Sequence, residues 1–152
     1  MLSMVLPRYD SPCGPRRDAL IQVASFKITP LKRICIVEGP MDALALAELD
    51  NTIAYSIMGG NPSSEQIQHL VKQIQSLCPQ VVYCVADKDN VGGMAGVQSR
   101  LAQYGTKSIL TRPLDKKDVA CYTLQERGQI LTGGEMPCCP NRTDVVASRT
   151  LR

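Results

Sequence analysis

Aromatic residues are scarce in this chain of 152 residues: it has no Trp, one Phe and five Tyr. Its core must therefore be built from Ile, Val, Leu, Ala and Met. Histidine is scarcer still. The single His69 has no Cys or His partner at zinc spacing, sits in a helical stretch and reads as a surface residue, so no zinc is expected. The seven cysteines stand at 13, 35, 78, 84, 121, 138 and 139, an odd number without a Cys-x-x-Cys pair. Cys35 and Cys84 lie inside apolar runs, where a free thiol packs as a small hydrophobe. That usage points to a reducing, cytoplasmic setting rather than a disulfide scaffold. No apolar run reaches the roughly 18 residues of a membrane span, so no membrane partner is expected. Met1 to Leu6 is too short for a signal-peptide core and is followed by Pro7. A net charge of +3 is too small to argue for nucleic-acid binding by itself.

What is present is a set of short apolar runs that end in carboxylates. Ile34 to Val37 stops at Glu38, and Val81 to Ala86 stops at Asp87 and Asp89. Such runs, bounded by turn residues, read as strands buried on both faces of a parallel sheet. Ligands of these sheets bind outside the carboxyl ends of the strands, where strand order reverses. If the two strands are neighbours, Glu38, Asp87 and Asp89 meet in one crevice. Three carboxylates without histidine suit a hard cation, Mg²⁺ first and Mn²⁺ second.

The remaining elements follow in order. Residues 1–32 hold Pro7, Pro12, Pro15 and Pro30 around Arg16 and Arg17 and read as a loose leader, in which Leu20 to Ile28 offers one edge strand. After Glu38, Gly39 allows a tight turn and Pro40 opens a helix to about Leu49, with Asp42 in its first turn. Thr52 to Ile57 is a strand, and Met58-Gly59-Gly60-Asn61 is its exit turn. The two glycines serve either a close backbone approach to a ligand or the turn alone. Ser63 and Gln66 form a capping-box pattern before a helix that Pro79 stops. Gly92 and Gly93 lead into a helix with Met94, Val97, Leu101 and Tyr104 on one face and Gly105 as its cap. Lys107 to Leu110 is a further strand, and Val119 to Glu126 a further helix. From Gly128 the periodicity fades, and 128–152 reads as a disordered tail. The expected fold is α/β, a compact parallel four-stranded sheet of order 2-1-3-4 flanked by helices, over residues 33–127.

Glu38-Gly-Pro-Met-Asp-Ala-Leu44, then Ser56-Ile-Met-Gly-Gly60, then Asp87-Lys-Asp89 with Gly92 behind it resembles the Toprim domain of bacterial-type primases, topoisomerases, OLD-family nucleases and RecR-like recombination proteins. Roughly residues 33–125 carry the likeness, and its flavour is primase-like. The resemblance implies that Glu38 is a general acid/base or a metal ligand, and that Asp87 and Asp89 hold Mg²⁺. Asp42, Gly59 and Gly60 are expected beside them. It further implies nucleotidyl transfer on a DNA or RNA template, single-stranded by preference, in DNA replication, with a helicase or primase subunits as partners. Only about 32 residues precede the motif, without a zinc pattern. Tyr83, Tyr104 and Tyr122 lie within regular elements, unsuited to topoisomerase nucleophiles. The chain thus reads as a Toprim module by itself: an independent small protein, a piece of a split primase, or a truncated copy from a plasmid, phage or other mobile element. Two alternatives stay open: a degenerate or non-catalytic module acting through a DNA-processing partner, and a Toprim nuclease. A receiver or dehalogenase-like domain would need Asp where Glu38 stands.

Overall fold

A computed structural model describes residues 19–112 and 118–135. Five strands alternate with four helices: β1 (Ile21–Ala24), β2 (Arg33–Val37), α1 (Pro40–Ala47), β3 (Thr52–Ser56), α2 (Ser64–Leu77), β4 (Val81–Val85), α3 (Val91–Gln103), β5 (Ile109–Thr111) and α4 (Leu124–Glu135). A 3₁₀ turn, Val119–Cys121, precedes α4. Among the described residues no helix is long and apolar enough to cross a membrane.

The strands form one sheet of order β1-β3-β2-β4-β5. β2 pairs in parallel with both β3 and β4, and β4 with β5, whereas β1 pairs antiparallel with β3. The expected four-stranded, all-parallel 2-1-3-4 sheet is therefore corrected to a five-stranded mixed one. The reason lies in the leader. β3 is buried along its whole length, so its outer edge cannot be left to solvent and β1 covers it. Ser25 extends the join, with its main-chain N–H donating to Thr52 O (2.9 Å) and its hydroxyl accepting from Thr52 N (3.2 Å). Leu20 and Val23 add apolar contacts to the two faces.

Alternate residues of the central strands serve opposite faces. Ile34, Ile36, Ile53, Tyr55, Val82 and Cys84 pack with Ile67, Leu70, Val97 and Leu101 of α2 and α3. Cys35, Val37, Ala54, Tyr83 and Val85 pack with Ala43 and Leu46 of α1, Val119, and Leu131 of α4. Burial pushes the Cys35 thiol up to about 12 and the Cys84 thiol to about 11. Cys78 and Cys121 are exposed.

Local chemistry sets the helix ends. Ser63 Oγ accepts from Gln66 N (3.1 Å) while Gln66 Oε1 accepts from Ser63 N (2.9 Å), which starts α2. Thr123 and Glu126 exchange the same pair of bonds, at 2.8 and 3.3 Å, and start α4. The expected helix over Val119–Glu126 is consequently split in two. α4 continues past residue 127, the expected end of the domain, to Glu135. Thr111 Oγ1 donates to Ile130 O (3.0 Å), and Leu131 is fully buried. The rest of the expected tail, residues 136–152, lies outside the described residues, as does the leader up to residue 18.

Leu131 supplies the test of this docking. Leu131→Ala should cost about 2–5 kcal/mol of unfolding free energy, as for a buried leucine that leaves a cavity. Urea unfolding followed by circular dichroism measures it, and a change near zero would mean that α4 does not hold the sheet.

Candidate active site at the carboxyl edge of the sheet

Three exits meet at one edge because β2, β3 and β4 run parallel. Ile36 is level with Cys84 and Val37 with Ser56. Glu38, the first residue after β2, thus stands at the same edge as the exits of β3 and β4. Gly39 follows it in extended conformation and Pro40 opens α1, where the missing N–H costs nothing.

The β3 exit is tied to Glu38 through the main chain. Ser56 is fully buried, and its hydroxyl donates to Glu38 O (2.9 Å) while accepting from Met58 N (3.3 Å). Met58 has a φ of 58°, a left-handed conformation uncommon outside glycine, and Gly59 follows at 149°. Non-glycine residues held in this region mark strain that the surroundings must sustain.

The β4 exit reaches Glu38 through a side chain. Asn90 Nδ2 donates to Glu38 Oε2 at 3.2 Å, and Asn90 N donates to Asp87 O at 3.1 Å. Asp87 is half-buried and Asp89 exposed. Glycine at position 60 leaves room here: a Cβ would sit 3.2 Å from Asn90 Nδ2 and 3.7 Å from Glu38 Oε1. Among the described residues no group of three or more His, Cys, Asp or Glu is gathered closely enough to hold a metal ion. Glu38 and the Asp87–Asp89 turn are linked by Asn90 rather than by a closed cage of acids. Their oxygen donors still fit Mg²⁺, which retains several waters and takes only one or two protein carboxylates.

Asp42 has another place. It is 7% exposed, and its Oδ1 accepts from Ala120 N at 3.0 Å. Arg127 grips the same residue from the other side: Nη2 donates to Ala120 O (3.3 Å), and Nη1 to Ala45 O (2.8 Å) and to Glu48. Burial pushes the Asp42 carboxyl above its ordinary range. The Ala120 N–H opposes that rise, the Asp118 and Glu38 charges add to it, and Arg127 opposes it.

A family model described as Toprim-like matches residues 35–123. The chain belongs to the Toprim-like family. No curated protein and no solved structure matches it. The Toprim-like span runs from β2 to the residue after the 3₁₀ turn and its neighbour Tyr122, and it includes Glu38, Asp42, Gly59, Gly60, Asp87 and Asp89. β1 and all of α4 lie outside it.

The sequence reading singled out neither Ser56, Asn90 nor Arg127 as a site residue. Asn90 had a signal, a side chain of capping type between Asp89 and the glycine pair. Ser56 opens one of the motif blocks, but its bond to Glu38, 18 residues away, has no local sign, and Arg127, which reaches up to 82 residues back, has no signal at all.

Asp42 gives a test with a definite sign. Its folded pKa is raised, so the native state binds more protons than the unfolded chain between the unfolded value, about 4, and the raised one. Wild-type stability due to this group is full below that window and declines as pH rises through it. Asp42→Asn keeps an acceptor for Ala120 N–H and lacks the charge. Its melting temperature should therefore gain on wild type as pH rises through the window, then keep a constant offset. An offset independent of pH would show that burial does not oppose the Asp42 charge.

Proposed function

We propose that this Toprim-like chain is a primase-like, Mg²⁺-dependent nucleic-acid enzyme, or the catalytic part of one, that transfers nucleotides on a single-stranded DNA or RNA template. The observation that carries this reading is Glu38, set at the carboxyl edge between two parallel neighbours, with its main-chain carbonyl bound to Ser56 of one and its carboxylate to Asn90 after the other. A bound Mg²⁺ would neutralise charge on the phosphate oxygens. Asp87 and Asp89 are its ligands in this reading. Glu38 joins them or takes the proton from the attacking hydroxyl. Gly59 and Gly60 leave space for a phosphate backbone to approach. A helicase or primase subunits would supply the grip on the template, and the setting is the cytoplasm, on a chromosome or a mobile element.

The test separates chemistry from folding. Mg²⁺ or Mn²⁺ should raise the melting temperature of wild type by mass action, and Asp87→Ala/Asp89→Ala should abolish the rise. Glu38→Gln should stay folded, because the side chain is only partly buried and its main-chain bond to Ser56 survives. It should lower template-dependent nucleotidyl transfer by about 10²–10⁴-fold, the range for loss of a general acid or base. Metal-dependent strand cleavage in place of synthesis would favour the nuclease alternative. DNA binding with neither reaction would favour a non-catalytic module.

A further inference from the structure

Asn90 occupies the N-cap position of α3, where asparagine is among the best residues because its side-chain oxygen accepts a main-chain N–H of the first turn. It makes no such bond. Its amide is turned away from the helix it precedes and donates instead to Glu38, 52 residues earlier in the chain. A residue that forgoes a local bond without local compensation is a mark of function.

The surroundings are shaped to this turned side chain. A Cβ on Gly93 would stand 3.1 Å from Asn90 Nδ2, 3.2 Å from Asn90 Oδ1 and 3.1 Å from the Gly60 carbonyl oxygen. A Cβ on Gly60 would stand 3.2 Å from the same Nδ2. All four distances are tighter than ordinary carbon contacts, so Gly60 of the β3 exit and Gly93 of the first turn of α3 form a slot one amide wide. Arg100 of α3 reinforces the slot by donating to Pro62 O and Ser64 Oγ, which fixes α3 against the β3 exit.

We infer that Asn90 is a positioning residue for Glu38, and that Gly60 and Gly93 are small so that its amide reaches that carboxylate. The contact holds Glu38 Oε2 and leaves Oε1 for a metal or a substrate proton. An outer hydrogen-bond donor of this kind orients a ligating carboxylate without touching the reacting atoms. The metal part of the inference rests on the function proposed above; the contact itself does not.

Two measurements on the full chain test it. In the metal-free protein, nuclear Overhauser cross-peaks should connect the Asn90 side-chain amide protons to the Glu38 γ-methylene and the Gly60 α-protons. Absence of those cross-peaks overturns the inference whether or not the protein binds a metal. Secondly, Mn²⁺ affinity is read by electron paramagnetic resonance. Asn90→Ala should weaken it by about 10- to 100-fold, as for other outer-sphere partners, with little change in metal-free melting temperature because Asn90 is exposed. Gly93→Ala should weaken it in the same direction even though alanine favours the helix. Wild-type affinity in both variants overturns the inference. Failure of wild type itself to bind Mn²⁺ counts against the proposed function, and the cross-peaks then decide the role of Asn90.

Discussion

The parallel pairing of β2 with β4 is the constraint on which the rest depends. It brings two segments more than forty residues apart in sequence to the same edge, level with each other at Ile36 and Cys84. Everything polar about the site follows from that adjacency. Glu38 leaves one strand, Asp87 to Asn90 leave the other, and one amide spans the distance. β3, on the far side of β2, contributes a buried hydroxyl that binds the main chain of Glu38. Glu38 is thus held from both flanks, by its main-chain carbonyl on one side and its carboxylate on the other.

A second grip lies where α1 meets the 3₁₀ turn. Ala120 carries no functional group, yet its N–H meets Asp42 and its C=O meets Arg127. The acid comes from the first turn of α1 and the base from α4, so the 3₁₀ turn between them cannot shift without breaking both. Arg127 also caps the end of α1 through Ala45 O, a favourable place for a cation at a helix C-terminus. Its Nε is buried and has no partner, a cost the arrangement tolerates because the remaining guanidinium nitrogens are well used.

Much of this was legible in the sequence, for identifiable reasons. Apolar runs such as Ile34–Val37 and Val81–Val85 are long enough, and buried enough on both faces, to announce strands. Ser63 and Gln66 announced α2 by a local rule. What stayed hidden lacked a local signal or was outweighed by a stronger one. The edge strand expected within Leu20 to Ile28 is there as β1, but with only Ile21 and Val23 half-buried its four residues carry no sign that they join the sheet antiparallel to β3. The Thr123 and Glu126 pair is a legible capping box, but the apolar Val119-Ala-Cys-Tyr122 stretch masked it. Asp42 sits in the same motif as Glu38, and its position alone suggested a shared crevice; only the fold turns it toward Ala120. Asn90 carries the side chain of a capping residue, and nothing local says that it will decline to cap.

The buried strand cysteines have a practical consequence. With a thiol pushed up by burial, Cys35 stays protonated at neutral pH, and it is shielded as well. Cys84 differs little, whereas Cys78 and Cys121 open to solvent. Within the described part of the chain, alkylating dyes and spin labels therefore have two natural attachment points. One ends α2, and the other lies on the turn that Asp42 and Arg127 clamp. A reporter at Cys121 would register loosening of that clamp while the sheet beneath stayed chemically silent.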